Sequence, residues 1–214
     1  MRTPPTNTQL GQDSRRETTE RRILESAAEL IASGIAWNAL GIRQIAERAE
    51  ISRTAFYDFF ASKNEVLEHL ITGLHDDLAT FLTEDADDGR TLLDLVHLRT
   101  ALARLAAYSA HNGAVYLAFL DATGDDPRLG SLFDELAEVY AGMLVTPIEA
   151  ARESQPGAPQ TPDAAELARV LLAMTERTML LLLRPSEPAI DREERLEALA
   201  QVWERAVYGA AVPS

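Results

Sequence analysis

The chain has 214 residues, of which 46% are hydrophobic and only 6% aromatic, a composition typical of helices packed on helices in one or two domains. It has no cysteine, which excludes disulfides and thiolate metal sites, and no apolar run of transmembrane length, so we expect a cytoplasmic protein. The net charge is −14, but residues 1–64 hold nine Lys and Arg against eight Asp and Glu, so the acidic excess lies in residues 65–214. This asymmetry is compatible with DNA binding, because phosphate contacts depend on local cations.

The N-terminal residues are polar. Residues 1–16 carry almost no apolar side chains and are predicted to form a disordered tail. Arg15 and Arg16 close this tail, where they either reach DNA from a flexible arm or simply remain solvated. The first helix is predicted to begin near Thr18 and to end near Ser33.

Residues 41–63 predict two short helices joined by a tight turn. Ser52 is expected to cap the second helix, because its hydroxyl can accept an otherwise unpaired backbone N–H. Arg53, Thr54 and Tyr57 then face solvent, and this combination at the start of a short helix suits reading a DNA major groove. The inward-facing positions are apolar and follow helical spacing: Ile42, Ile45, Ala46, Phe56, Phe59 and Phe60.

A longer helix is predicted to follow over residues 62–82. Ser62 caps it, Glu65 three residues on completes a capping box, and Lys63 lies in its first turn. This helix leaves the DNA-binding segment and enters the rest of the chain, which makes it the expected lever between two domains.

The remaining sequence predicts further helices separated by loops. The loops are a charged segment over 84–90, a break at 111–113, a turn over 123–127, a Pro-rich segment over 154–162 and a turn over 184–188. No strand alternation is present, so we expect an all-α fold. The predicted helices span residues 91–110, 114–122, 128–153 (with a bend near Pro147), 163–183 and 191–208.

The segment IAERAEISRTAFYDFFASKNEVL, residues 45–67, resembles the helix-turn-helix signature of the tetracycline-repressor (TetR) family of transcriptional regulators. The resemblance is specific over residues 19–71, and residues 175–209 are similar to the subgroup of the mycobacterial ethionamide-resistance regulator. It implies a DNA-binding domain over 17–64 and a ligand-binding and dimerisation domain over 65–214. It also implies a homodimer on a palindromic operator, most simply a repressor, released by a small apolar effector and needing no cofactor.

The resemblance assigns DNA contacts residue by residue. Arg43 matches a position that contacts the DNA backbone or bases, and Tyr57 and Lys63 match positions that contact phosphate. Base readout rests on the front of the recognition helix, where an alanine stands in place of a frequent threonine. For a single arginine the alternative is an ordinary solvated charge. The assigned residues are Arg43, Ser52, Arg53, Thr54, Ala55, Tyr57 and Lys63.

The resemblance also implies an effector pocket in the second domain, and a four-helix dimer bundle built from helices 163–183 and 191–208. The alternative for each pocket residue is that it simply fills the core. Arg177 is expected to form an ion pair with Glu176, Glu204 or a neighbour, and the alternative is a contact with the ligand. The assigned pocket residues are Tyr108, Phe133, Tyr140, Leu172, Thr175, Met179 and Trp203.

Other functions find little support in the sequence. The four histidines (His69, His75, His97 and His111) lack zinc-ligand spacing, and His75 is expected in a solvated patch. No phosphate-binding loop, nucleophile elbow or paired-histidine motif indicates an enzyme. A further alternative is a helix-turn-helix regulator whose C-terminal domain serves only dimerisation or protein partners.

Overall fold

A computed structural model of the chain describes residues 7–83, 95–155, 157–160, 162–184 and 191–209. Within these ranges it contains α-helices and no strands, so the all-α prediction is confirmed. None of the described helices is both long and apolar enough to cross a membrane. The helices are α1 Asn7–Ala32, α2 Ile42–Arg48, α3 Arg53–Phe56, α4 Lys63–Thr83, α5 Leu95–Thr123, α6 Pro127–Glu153, α7 Ala164–Leu183 and α8 Arg192–Tyr208.

The chain forms two compact units that do not follow a single cut in the sequence. The first unit contains residues 1–73 and 114–129, and the second contains residues 74–113 and 130–214. Helices α4 and α5 therefore each contribute one segment to both units. The functional division at residues 64 and 65 stays a prediction, because compactness alone does not define which residues bind DNA.

The first unit has its own apolar core around the two short helices. A polar chain of hydrogen bonds supports it: the Trp37 indole donates to the Asn64 side chain over 3.1 Å, and the Asn64 amide donates to Asp126 over 2.8 Å. The bond from Asn64 lowers the pKa of the Asp126 carboxyl. The completely buried side chains of this core include Ile23, Leu40, Ile45, Phe56, Phe60, Leu67, Ile71, Phe119 and Leu129.

The second unit is built from α7 and α8 with parts of α4, α5 and α6. Asp163 caps α7 by accepting the Glu166 N–H over 2.9 Å, and Asp191 caps α8 by accepting the Glu194 N–H over 3.0 Å. Both helix starts lie where the sequence predicted them, because a cap is local chemistry. The buried core of this unit includes Leu98, Leu102, Ile148, Leu167, Leu171, Met179, Leu199, Trp203 and Val207.

Helix α1 begins at Asn7, eleven residues before the predicted start at Thr18. The prediction was wrong because it treated a lack of apolar residues as a lack of helix, whereas a helix that has already formed adds one hydrogen bond per residue and needs no buried face to extend. The helical backbone also covers residues 7–16, which the sequence assigned to a disordered tail. The hydroxyl of Thr18 donates to the carbonyl of Ser14 over 2.7 Å, one turn back. Residues 1–6 lie outside the described part of the chain.

Helix α5 runs without a break through residues 111–113, which contradicts the predicted interruption. Gly113 is buried, and a β-carbon added there would lie 2.6 Å from Cδ2 of Leu183. This glycine therefore permits the close approach of α5 and α7 and does not end a helix. The predicted loop over 84–90, the first residues of the predicted helix over 91–110 and the turn beyond Arg184 lie outside the described residues.

Candidate nucleic-acid interface and ligand site

The turn between α2 and α3 is held by two backbone hydrogen bonds. Ile51 N–H donates to Ala46 over 3.0 Å and Glu50 N–H donates to Glu47 over 3.2 Å, the pairing of a Schellman motif. Glu50 has φ of 55°, in the left-handed region that glycine usually occupies at this position. The motif fixes the tight turn that carries the chain from α2 to α3.

The predicted cap of the recognition helix is present. The Ser52 hydroxyl accepts the Ala55 N–H over 3.0 Å at the start of α3. Phe56 is completely buried, and its ring packs against Phe60 at a centroid distance of 5.9 Å. These two contacts hold the four-residue helix from its exposed end and from its buried face.

The structure leaves most of the predicted DNA contacts exposed. Arg53, Thr54 and Tyr57 are exposed together on α3, with Tyr57 exposed over 47% of its surface. Ser52 is also exposed, and Ala55 is half-buried. On α2, Arg43 is exposed and lies 3.6 Å from Glu47 one turn along the helix. The guanidinium, hydroxyl and phenol thus face solvent, where a duplex can reach them.

Lys63 has different contacts from those the resemblance implies. Its ammonium donates to the carbonyl of Trp37 over 2.6 Å and to that of Leu40 over 3.0 Å, and it lies 5.1 Å from the Trp37 ring centroid. Burial lowers the pKa of the Lys63 ammonium. In this structure Lys63 holds the turn before α2, so its role as a phosphate contact stays a prediction.

The Lys63→Met variant is expected to lose both stability and DNA affinity. Two charge-assisted hydrogen bonds disappear, and for a partly exposed ammonium we expect a loss of about 1–2 kcal/mol in the free energy of unfolding. Thermal denaturation of the variant measures this loss. Arg43→Met is the matched control, because Arg43 makes only an exposed ion pair. An unchanged melting temperature for Lys63→Met would contradict the structural role.

Arg16 is not part of a free arm. Its guanidinium donates to the carbonyl of Asp58 over 3.1 Å and lies 5.4 Å from the ring centroid of Phe59. Phe59 is accordingly half-buried, although the sequence predicted an inward-facing side chain like Phe56 and Phe60. The sequence could not show this, because the partners lie more than forty residues further along the chain.

Several predicted pocket residues lie in the packed core of the second unit. Trp203 and Met179 are buried, and Leu172 is partly buried against the same cluster. The Trp203 indole donates to the Thr175 hydroxyl over 2.9 Å, and that hydroxyl donates to the Leu171 carbonyl over 2.8 Å. Trp203 and Thr175 therefore join α8 to α7.

Tyr108 and Tyr140 contact α4. The Tyr108 hydroxyl donates to the carbonyl of Leu74 over 2.6 Å, and the Tyr140 hydroxyl donates to that of His75 over 3.0 Å. His75 is partly buried and hydrogen-bonded to Tyr140, so it does not belong to the predicted solvated patch, whereas the neighbouring Asp76 and Asp77 are exposed. Phe133, the remaining predicted pocket residue, is half-buried.

A cavity of about 470 Å³ opens beside Tyr108 within the second unit. Of the predicted pocket residues only Tyr108 lines it. Five of its six lining residues carry a polar group, although most of the lining surface is apolar. This cavity was not predictable from the sequence, because its walls come from two helices, α4 and α5, that share no motif. The lining residues are Asp77, Arg104, Ala107, Tyr108, His111 and Asn112.

One of the partners expected for Arg177 has a different partner in the structure. Glu204, predicted as a partner of Arg177, pairs with Arg99, which also binds Glu197 over 2.9 Å. The Arg99 guanidinium lowers the pKa of Glu197 to about 2. Among the described residues, no group of three or more His, Asp or Glu side chains is placed to hold a metal ion.

The capped α3, its exposed Arg53, Thr54 and Tyr57, and the tight turn from α2 together define a helix-turn-helix DNA-binding protein. Two family models match the chain. The model described as bacterial regulatory proteins of the tetR family matches residues 23–70, and that of the transcriptional regulator EthR, C-terminal domain, matches residues 98–209, more than half of the chain. The chain belongs to the TetR family of transcriptional regulators and carries an EthR-type C-terminal domain. It is a regulator and not an enzyme.

Individual relatives support this assignment. The chain is 27% identical over 210 residues to the regulator EthR of Mycolicibacterium smegmatis, covering 95% of this chain and 94% of the relative. It is 26% identical over 174 residues to EthR of Mycobacterium tuberculosis H37Rv, covering 79% of this chain and 78% of the relative.

Solved structures share the fold. A TetR-family regulator from Syntrophomonas wolfei superposes with a TM-score of 0.69 at 17% identity, covering 92% of this chain and 99% of that one. FadR of Thermus thermophilus, a TetR-family repressor in complex with lauroyl-CoA, gives 0.59 at 22% identity, covering 91% and 98%. A regulator from Saccharomonospora viridis in complex with choline gives 0.64 at 20% identity, covering 88% and 94%.

Proposed function

We propose that this TetR-family member is a cytoplasmic repressor that binds a palindromic operator as a homodimer and is released by a small effector bound in residues 65–214. The observation that carries the DNA-binding part is the exposed face of α3. Arg53, Thr54 and Tyr57 face solvent while the adjacent Phe56 is completely buried and fixes the helix. The bound effector would shift α4, and the operator would lose affinity when the spacing of the two α3 helices no longer matches one DNA turn.

The homodimer is supported by solvent-exposed apolar side chains on α7 and α8. Val170 on α7 is 63% exposed and Val202 on α8 is 46% exposed. One four-residue recognition helix reads too few base pairs for specificity, whereas a two-fold dimer reads two half-sites. We propose that α7 and α8 of two protomers pack as a four-helix bundle across the two-fold axis.

An effector is supported by the ligands in the structures of two similar proteins. FadR of Thermus thermophilus contains lauroyl-CoA, and the Saccharomonospora viridis regulator contains choline. An apolar effector among Leu172, Met179 and Trp203 would have to displace side chains that now pack against one another. The apolar character of the effector therefore remains a prediction from the sequence.

The packed core favours a second candidate, in which residues 65–214 serve dimerisation or protein partners without a small ligand. The Trp203 indole donates to the Thr175 hydroxyl within this core, so both polar groups are satisfied by protein partners. Thermal denaturation with a panel of small molecules separates the two candidates. A ligand that binds the folded protein raises its melting temperature, whereas a domain without a ligand site shows no such rise.

The base-reading role of Arg53 is tested with an operator selected in vitro by the wild-type protein. Arg53→Ala is expected to weaken binding to this operator by roughly 5–150-fold and to relax the preference at one base pair, because a good arginine contact discriminates bases by about 1–3 kcal/mol. Arg128→Ala, at an exposed arginine of α6 that pairs with Glu68, is the control with unchanged affinity. Equal losses for the two variants would contradict the assignment.

A further inference from the structure

Two tyrosine hydroxyls from different helices donate to consecutive carbonyl oxygens in the interior of α4. Tyr108 of α5 reaches the carbonyl of Leu74 over 2.6 Å, and Tyr140 of α6 reaches that of His75 over 3.0 Å. A helix carbonyl has two lone pairs, and the ladder of the helix uses one, so each tyrosine takes the second. Helix α4 is thus tied to two neighbours within two residues.

The hydrogen bond that Tyr140 donates to the backbone also determines the tautomer of the His75 ring. Its Nδ1 lies 2.9 Å from the Tyr140 hydroxyl, and the two rings lie 5.2 Å apart. Because the Tyr140 hydrogen is directed at the His75 carbonyl, Nδ1 must carry the proton and donate to the hydroxyl oxygen. Burial lowers the pKa of His75, and burial raises the pKa of Tyr108 to about 12, so Tyr108 keeps the proton that it donates at neutral pH.

Gly73 immediately precedes the two tethered carbonyls. A β-carbon added there would meet nothing within 4 Å, so packing does not require a glycine at this point. A glycine inside a helix weakens it relative to alanine, because its backbone loses more conformational freedom when the helix forms. Helix α4 is therefore intrinsically weak directly before the residues that the tyrosines hold.

A cavity of about 470 Å³ lies against the side chain of Tyr108, one of the two tyrosines. Tyr108 lines it together with Asp77 of α4 and with His111 and Asn112 of α5. The lining surface is mostly apolar and also presents polar groups of Asp77, His111 and Asn112, which suits an amphiphilic ligand that forms hydrogen bonds. Since a tyrosine hydroxyl donates to its carbonyl here, a competing ligand atom must be an acceptor.

We propose that the hydroxyls of Tyr108 and Tyr140 on the carbonyls of Leu74 and His75 form a latch on α4, and that an effector with a carboxylate or carbonyl oxygen opens it by taking the Tyr108 hydroxyl. This tyrosine latch rests on the proposed function, because α4 begins at Lys63, directly after the DNA-binding helices. The effector would thus be a hydrogen-bond acceptor, and it would act by breaking the bond from the Tyr108 hydroxyl to the Leu74 carbonyl.

Tyr→Phe substitutions test the latch without any ligand. Tyr108→Phe and Tyr140→Phe remove only a hydroxyl, and amide hydrogen exchange over residues 74–80 is expected to accelerate about five-fold in each and about twenty-fold in the double variant. Thr178→Val is the control, since the buried Thr178 hydroxyl donates to Met174 within α7. Unchanged exchange in the double variant would overturn the latch.

The same variants are titrated against an operator selected by the wild-type protein. The double variant is expected to bind at least about ten-fold more weakly at the same salt, and Thr178→Val is expected to match the wild type. Wild-type affinity in the double variant would overturn the regulatory role of the latch. If the wild type itself prefers no sequence, the proposed function fails, while the exchange rates still decide whether the tyrosines hold α4.

Two amphiphiles of equal chain length test the effector class. Decanoate carries a carboxylate, and decyltrimethylammonium carries no hydrogen-bond acceptor. Decanoate is expected to accelerate exchange over residues 74–80 in the wild type and to have no further effect in the double variant. An equal effect of both amphiphiles, or no effect of decanoate, would overturn the assignment of an acceptor ligand to this cavity.

Discussion

Phe56→Ala is expected to abolish specific DNA binding, although Phe56 faces away from the proposed DNA surface. Its ring is completely buried and contacts Phe60 and the edge of Tyr57 at centroid distances of 5.9 and 5.7 Å. Truncating a buried phenylalanine costs about 3–5 kcal/mol. A four-residue helix is not stable without tertiary packing. Losing the Phe56 ring is therefore expected to disorder α3 and displace the side chains of Arg53 and Thr54.

Chemical denaturation and DNA titration of the same preparation measure this effect. Phe56→Leu is the matched control, because it keeps an apolar side chain and is expected to lose less than about 1.5 kcal/mol with most of the DNA affinity. A Phe56→Ala protein with the stability and affinity of the wild type would show that the buried ring does not support the recognition helix.

The second large effect is expected at Trp203 in the other unit. Trp203→Ala removes a buried side chain that is only 4% exposed, together with its hydrogen bond to Thr175. The expected loss is about 3–5 kcal/mol, which corresponds to a fall in melting temperature of roughly 6–20 °C for a chain of this size. Differential scanning calorimetry measures it.

Thr175→Val separates the hydrogen bond from the packing. This variant keeps the volume of the side chain and leaves the Trp203 N–H without its partner, at an expected cost of about 1–3 kcal/mol. If Trp203 lined a ligand pocket and not a packed core, its truncation would leave the melting temperature near that of the wild type. That result would contradict the core contacts described for α7 and α8.

Local chemistry made much of the fold predictable. Ser52, Asp163 and Asp191 each accept the N–H that their capping role requires, and Gly209 ends α8 with φ of 88°. A cap depends on residues within one turn, so the sequence contains all of its determinants. Buried Ile45 and Phe56 were likewise given by helical spacing.

Features that depend on distant partners were not predictable in the same way. The sequence before Gly113 has the composition of a helix end, yet α5 continues because Leu183, seventy residues further on, packs against that glycine. Glu50 occupies a left-handed turn position where a glycine would have given a signal. Neither arrangement can be inferred from the residue types of the neighbouring positions.

The candidate site shows the same division. Exposure of Arg53 and Tyr57 followed from their helical phase relative to Phe56. The bonds of Lys63 and Tyr108 did not follow, because their acceptors are backbone carbonyls, and a carbonyl is present at every residue. A side chain that binds backbone leaves no complementary residue type for the sequence to reveal.

The most direct test of the DNA-binding account is a fluorescence-anisotropy titration of the wild-type protein. The probes are a DNA duplex selected in vitro by the protein and a shuffled duplex of the same composition, both at fixed salt. We expect the selected duplex to bind at least about a thousand-fold more tightly, with an affinity that falls steeply as salt is raised. Equal affinity for the two duplexes would contradict sequence-specific DNA binding by α3.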